Sequence, residues 1–263
     1  MQSMVQKAYY SAETYSKTPH FHDCHQIILV KKGRVAFCVN GKMLHAGVGN
    51  IAIFSRYENH SVHVFSEEYE RYVLHIDPAS INRKSIVYSL LTDRPISFCN
   101  VIDISSRMDE ITSVFKRILL EHSGSSKLAN EMEQLLLQQL LITIYRCTSI
   151  NFINTYDDVV ASVKRQFENE YHKQFSLDML AKQHNLSISS LSHRFRTATG
   201  VSVMEYLRSC RMANAKQMLA ETDRSIGEIV EKCGFSDNSN FCRTFKKLNG
   251  LSPSDFRKIY KSR

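Results

Sequence analysis

Hydrophobic spacing divides the chain into a first half of short alternating runs and a second half of helical stripes. The alternating runs are Gln26–Val30, Arg34–Val39, Lys42–His45, Ile51–Phe54, Ser61–Phe65 and Tyr72–Ile76. They are separated by turn residues at Lys32-Gly33, Asn40-Gly41 and Gly47–Asn50. Asn-Gly between two such runs predicts a tight hairpin, because both residues accept the left-handed backbone that the turn requires. Many short, evenly spaced strands predict a small β-barrel or jelly roll. Ser105–Glu121 then carries Met108, Ile111, Phe115, Ile118 and Leu119 on one stripe, and Ser123-Gly124-Ser125 ends it. Leu128–Arg146 follows, where Leu135-Leu136-Leu137 gives the helix more than one apolar face. That extra face leaves apolar surface for a partner, or else packs within its own domain. Thr148–Tyr156 reads as a link, and Asp157 or Asp158 starts the next helix with Val159, Val160, Val163 and Phe167 inward.

The last hundred residues contain a repeat. Leu177, Leu180 and Ala181 precede the turn Asn185-Leu186-Ser187, and Leu191 and Phe195 follow it. Ile226, Ile229 and Val230 precede Gly234-Phe235-Ser236, and Phe241 and Phe245 follow. The offset is 49 residues before the turn and 50 after it. Each copy reads as two short helices about a sharp turn, with Ser236 expected to cap the last helix. Paired helix-turn-helix units place two polar helix faces on one body, expected to enter successive major grooves of DNA.

With Leu191 and Phe195 inward, Ser189, Ser192, His193 and Arg196 face the groove in the first unit. With Phe241 and Phe245 inward, Asn238, Ser239, Cys242 and Arg243 do so in the second. Side chains of these types pair with base edges, Arg243 above all, since a guanidinium grips guanine at two points. Arg194, Arg208, Lys246 and Lys247 flank those faces and are expected on phosphates. A solvated basic face on an ordinary helical hairpin is the plain alternative.

Gly234-Phe235-Ser236-Asp237, then Phe241–Lys247, then Gly250-Leu251-Ser252-Pro253 and Phe256-Arg257, resemble the signature of the AraC/XylS family of bacterial transcription regulators. The resemblance covers roughly residues 157–260, and more weakly 15–148. Val230 stands where the family usually has alanine, and Asn185 where it usually has glycine. His20-Phe21-His22, Gly33, Gly41, Gly49-Asn50 and His60 in that order resemble a cupin barrel, the sensor domain of sugar-responsive members. The resemblance implies two domains: residues 1–148 as a cupin-like sensing and dimerisation domain, and 157–263 as an all-α DNA-binding domain. It also implies promoter DNA as partner, RNA polymerase too if the protein is an activator, and a homodimer through the helices that follow the barrel.

The effector is expected inside the barrel. His20, His22, Gln26 and His60 are the polar candidates, and Phe37, Phe54 and Tyr72 the apolar walls. Imidazoles and an amide, with little charge, suit a neutral or weakly acidic polyol or sugar better than a large lipid. Cupin enzymes hold a metal with an HxH pair, a glutamate and a later histidine. Here Gln26 fills the glutamate position, so neither metal nor catalysis is expected, and no cofactor. A metal-dependent cupin enzyme and an effector-free DNA-binding protein are the alternatives.

Charge agrees with this division. The net charge is +8, with 16 basic and 14 acidic residues in 1–150 against 18 and 12 in 151–263. The excess thus lies in the helical half, as phosphate binding favours. Seven cysteines without a CxxC pair suggest reduced thiols in a cytoplasm. The N-terminus has no secretory pattern, and the longest apolar run, Leu135–Ile144, is too short to span a bilayer.

Overall fold

The computed structural model describes residues 4–12, 20–78, 86–92, 94, 98–124, 128–148 and 157–260. Most of the expected link, Thr148–Tyr156, lies outside them. The chain forms two compact units, one of Met1–Thr18 with Cys24–Tyr156, the other of Pro19–Asp23 with Asp157–Arg263.

The first unit holds strands β1 (Val5–Ser11), β2 (His25–Lys32), β3 (Val35–Val39), β4 (Lys42–Ala46), β5 (Asn50–Phe54), β6 (His60–Val64), β7 (Glu70–Ile76) and β8 (Val101–Asp103). A five-stranded sheet runs β1-β7-β2-β5-β8 and a three-stranded sheet β4-β3-β6, all pairs antiparallel. The β3–β4 hairpin turns at Asn40 and Gly41 with φ of 52° and 78°, the pair of left-handed residues that such a turn needs. Helices α1 (Met108–Ser123) and α2 (Ala129–Cys147) complete the unit.

Two apolar cores use opposite faces of the larger sheet. Ile28, Val30, Ala52, Phe54 and Val73 meet Val35, Phe37, Val39 and Val62 of the smaller sheet. Ile27, Leu29, Ile51, Ile53, Leu74 and Ile76 meet Ile111, Phe115 and Ile118 of α1 and Leu137, Leu140 and Ile144 of α2. Both faces of β2 are therefore covered, which is why His25 to Val30 are all buried and the strand shows no polar alternation. Glu133 of α2, itself buried, accepts from the Val5 amide at 3.1 Å and lies 2.9 Å from His122 Nδ1, fastening the edge strand to the helix pair.

The second unit is helical: α3 (Asp158–Glu170), α4 (Leu177–Gln183), α5 (Ile188–Thr199), α6 (Val203–Glu221), α7 (Ile226–Lys232), α8 (Asn238–Asn249) and α9 (Pro253–Tyr260). Caps repeat with the sequence. Ser176 and Ser225 cap α4 and α7, Ser187 and Asp237 cap α5 and α8, and left-handed Gly200 and Gly250 close α5 and α8. The cap of α8 is Asp237, not the expected Ser236: its carboxylate accepts from the amides of Ser239 and Asn240 at 2.9 and 3.0 Å. One extra residue in the second turn moves the cap along by one, which is the step from 49 to 50 in the offset. Helix α6 is buried on most sides, through Tyr206, Leu207, Cys210, Met212, Ala215 and Leu219. Gly234 has φ of 76°, and a Cβ there would lie 2.5 Å from the carbonyl oxygen of His172, so this turn accepts no side chain.

Candidate nucleic-acid interface and effector pocket

Helices α4–α5 and α7–α8 are the two helix-turn-helix pairs. The second helix of each is fixed from behind by aromatic packing. Phe195 meets the Tyr206 ring edge-on at 5.6 Å, and Phe241 and Phe245 stack along Phe235 and Phe256 at 5.1 to 5.6 Å. All three phenylalanines on these helices are fully buried. Anchoring the back of a helix leaves its front rigid and wet, which is the condition for reading a base edge without an entropic loss at each contact.

On α5, Ser189, His193 and Arg196 are exposed, and Ser192 is half-buried. On α8, Asn238, Ser239, Arg243, Lys246 and Lys247 are exposed. Arg243 makes no ion pair or hydrogen bond with any described residue, so its five donors face solvent. Arg208, on α6, is exposed as well.

Two residues sit differently from expectation. Cys242 is half-buried and packs against the core of Phe241, Phe245 and Met212, because position 242 lies on the shoulder between the greasy and the wet face. Arg194 is held in a two-point pair with Asp157, its Nε 2.7 Å from Oδ2 and its Nη2 3.0 Å from Oδ1. The same Asp157 carboxylate accepts from the amides of Val159 and Val160 and caps α3. Burial opposes its charge, but Arg194 and the two amides outweigh burial and hold its pKa below the usual carboxylate range. Two of the three Arg194 guanidinium nitrogens are thereby engaged within the unit, which competes with the expected phosphate contact. Sequence reasoning also passed over Thr197 and Asn240, both exposed beside the named residues. Counting helical positions from the buried anchors would have found them.

In the first unit Phe37 and Phe54 are buried between the two sheets, with their ring centroids 5.4 Å apart. The His60 imidazole stacks on Phe54 at 4.0 Å, almost parallel, and its Nδ1 lies 3.0 Å from the carbonyl oxygen of Glu58. Gln26 is buried on the same inter-sheet face, its amide nitrogen 3.0 Å from His75 Nε2. Its Oε1 meets no donor among the described residues. Tyr72 belongs elsewhere. It pairs with Leu29, stacks near Phe115 of α1 and faces the helices, so it walls nothing that Gln26 or His60 lines. The residues of β7 that do share their face are Arg71, Val73 and His75, with Tyr9 of β1 6.0 Å from His75. His20 and His22 are grouped with the second unit, their rings edge-on at 5.0 Å.

Comparison with known proteins settles the ancestry. The family described as AraC-like ligand binding domain matches residues 5–141, just over half of the chain. This chain belongs to the AraC family. A helix-turn-helix domain family matches residues 180–259 of the same AraC-family chain. The HTH-type transcriptional activator RhaR of Salmonella schwarzengrund is 30% identical over 158 residues, which is 59% of this chain and 56% of RhaR. The chain thus spans a little over half the length of the curated relatives it matches. The fold is that of ToxT from Vibrio cholerae, whose structure superposes with a TM-score of 0.66 at 11% identity, covering 97% of this chain and 98% of ToxT. ToxT with unsaturated fatty acid bound superposes at 0.63 and 13% identity, covering 100% and 99%. Among the described residues, no helix is long and apolar enough to cross a membrane.

Proposed function

We propose that this AraC-family protein binds promoter DNA through both helix-turn-helix pairs, in the cytoplasm, and regulates transcription in response to a small molecule held by its first unit. The observation that carries the reading is the pair of exposed polar faces on α5 and α8, each backed by buried aromatics and each closed by the same caps. Ser189, Ser192, His193, Arg196, Asn238, Ser239 and Arg243 read bases. Arg208, Lys246 and Lys247 hold phosphates. Cys242 contributes only through its partly exposed edge. That RhaR is a transcriptional activator supports the output, with RNA polymerase as the further partner.

The small molecule lies between the two sheets beside Gln26 and His60, where the unpaired Gln26 Oε1 supports a polar, hydroxyl-bearing ligand such as a sugar. No chemistry is assigned to the pocket: the chain acts as a regulator, not an enzyme. A homodimer forms through α2. Leu128, Met132, Leu135 and Ile142 are exposed at four-, three- and seven-residue steps, with Leu128 and Leu135 more than 60% open. Such spacing makes the seam of a two-helix contact.

The test is DNA selection followed by mobility shift. Genomic fragments retained by the purified protein yield its site, and Arg243→Ala is titrated against that site and a scrambled one. The variant is expected to bind the site about 1–3 kcal/mol more weakly and to lose preference over the scrambled one. Unchanged affinity and selectivity would refute base reading by this face.

A further inference from the structure

A cavity of about 510 Å³ opens at one end of the three-stranded sheet, away from Gln26 and His60, and is lined by Arg34, Val35, His45, Ala46, Gly47, Asn50 and Phe65. We infer that it is a second binding site, for a small planar carboxylate such as an aromatic acid.

The rim is fixed by backbone bonds before any ligand arrives. The Phe65 amide donates to the Arg34 carbonyl at 2.9 Å, which sets these two residues opposite each other across β3 and the end of β6. The Arg34 amide donates to Ser66 Oγ at 2.9 Å. On the far side the Gly47 amide donates to Asn50 Oδ1 at 2.9 Å, and the Asn50 amide returns to the Gly47 carbonyl at 3.0 Å. A site held this way loses little conformational entropy on binding.

Its chemistry is one cation beside a flat apolar wall. The Arg34 guanidinium is exposed and pairs with no carboxylate among the described residues, since nearby Glu68 is taken by Lys32. Phe65 is 56% exposed, although it is a large aromatic residue on a sheet. Its ring lies 5.8 Å from that of His45 at 30° between planes, so two neighbouring rings line the cavity. Val35 and Ala46, buried members of the inter-sheet core, line the cavity as well. A guanidinium takes a carboxylate at two points, and an aromatic face takes a ring. The volume falls within the range of small-molecule sites, about 300–1,000 Å³. Sugars match this lining poorly, because it offers few neutral donors and acceptors in convergent positions.

Calorimetry of the full chain against benzoate, with benzamide as the neutral isostere, tests the site. Saturable binding of benzoate is expected, with benzamide at least about tenfold weaker, since it lacks the charge that Arg34 grips. Arg34→Gln should weaken benzoate about tenfold and leave benzamide unchanged, while Phe65→Ala should weaken both. Both positions are exposed, so neither change threatens folding, and the thermal midpoint of each variant checks this. His60 is buried against Phe54, so His60→Ala is read only where its thermal midpoint matches wild type; there it should leave benzoate binding as it was, which separates this site from the inter-sheet face. The inference fails if benzoate does not bind the wild-type chain, if Arg34→Gln binds it equally well, or if His60→Ala abolishes it.

Discussion

Removing the Asp157 carboxylate should loosen the DNA-binding unit at two places at once. In Asp157→Ala, α3 loses its cap and Arg194 loses its partner on α5. Loss of a side-chain cap costs about 1 kcal/mol. A two-point charged pair contributes more when buried, but the Arg194 side chain is 40% exposed against 10% for Asp157, so solvent screening brings the pair down to about 1 kcal/mol. The sum is about 2 kcal/mol. Arg194→Ala keeps the cap and should cost about half as much. Hydrogen exchange read by mass spectrometry resolves these changes locally. Peptides of α3 and α5 should exchange about thirtyfold faster in Asp157→Ala and about fivefold faster in Arg194→Ala. Peptides of β2 and β7 should not change.

The sign with pH follows from the lowered pKa of Asp157 in the folded chain. A lowered carboxylate pKa contributes stability that is complete above the unfolded value, about 4, and is lost as pH falls through the folded value. The difference between wild type and Asp157→Ala should therefore shrink below about pH 4. The opposite result is equally definite. If Arg194→Ala leaves exchange unchanged but lowers the salt dependence of DNA binding by about one unit, Arg194 is a phosphate ligand and the pair with Asp157 is incidental.

Other outcomes are expected. Lys246→Ala should weaken binding to all DNA sequences alike and reduce the salt slope by about one, measured by mobility shift across a salt series; altered base preference at an unchanged slope would contradict the phosphate role. Burial pushes the Cys233 thiol up to about 12, so iodoacetamide at pH 8 should label exposed Cys99 in the native chain and spare Cys233 until urea is added. If the proposed dimer forms through α2, sedimentation should show a dimer for the wild-type chain and a folded monomer for Leu135→Lys, whose side chain is 61% exposed in the single chain; a persistent dimer would move the contact off α2.

The helical unit was legible because its signals are local. Caps, the four-residue spacing of phenylalanines and the left-handed turn residues all act within a dozen positions, and the repeat states each of them twice. What escaped lay at the margins of the same signals. Ser236 and Asp237 are both good caps, and only the extra residue in the second turn selects the latter. The Arg194–Asp157 pair joins positions 37 apart and leaves no periodic trace. In the β unit, the strands with hairpin turns were readable. Strand β1 was not: Val5-Gln6-Lys7-Ala8-Tyr9-Tyr10-Ser11 is an edge strand with mixed exposure, and its alternation is blurred. Strand β8 is three residues long and too short to carry a pattern.

The proposed effector site was the least legible part, and the reason is register. Along a strand, alternate residues face opposite ways, so naming a wall requires knowing the phase of every strand relative to its neighbours. A sheet with one wet face announces that phase through its polar positions. The five-stranded sheet here is covered on both faces, by the smaller sheet and by α1 and α2, so apolar residues occupy both phases. Ile27 and Ile28 are equally buried yet belong to different cores. Tyr72 and Val73 present the same ambiguity, and Tyr72, the aromatic of the two, attracts the assignment. Pairing decides it: Tyr72 lies opposite Leu29 and takes the helix side, while His75 lies opposite Gln26 and takes the inter-sheet side. The polar groups that share the inter-sheet face are thus set by hydrogen bonds between strands some fifty residues apart, a relation that side-chain periodicity within either strand does not contain.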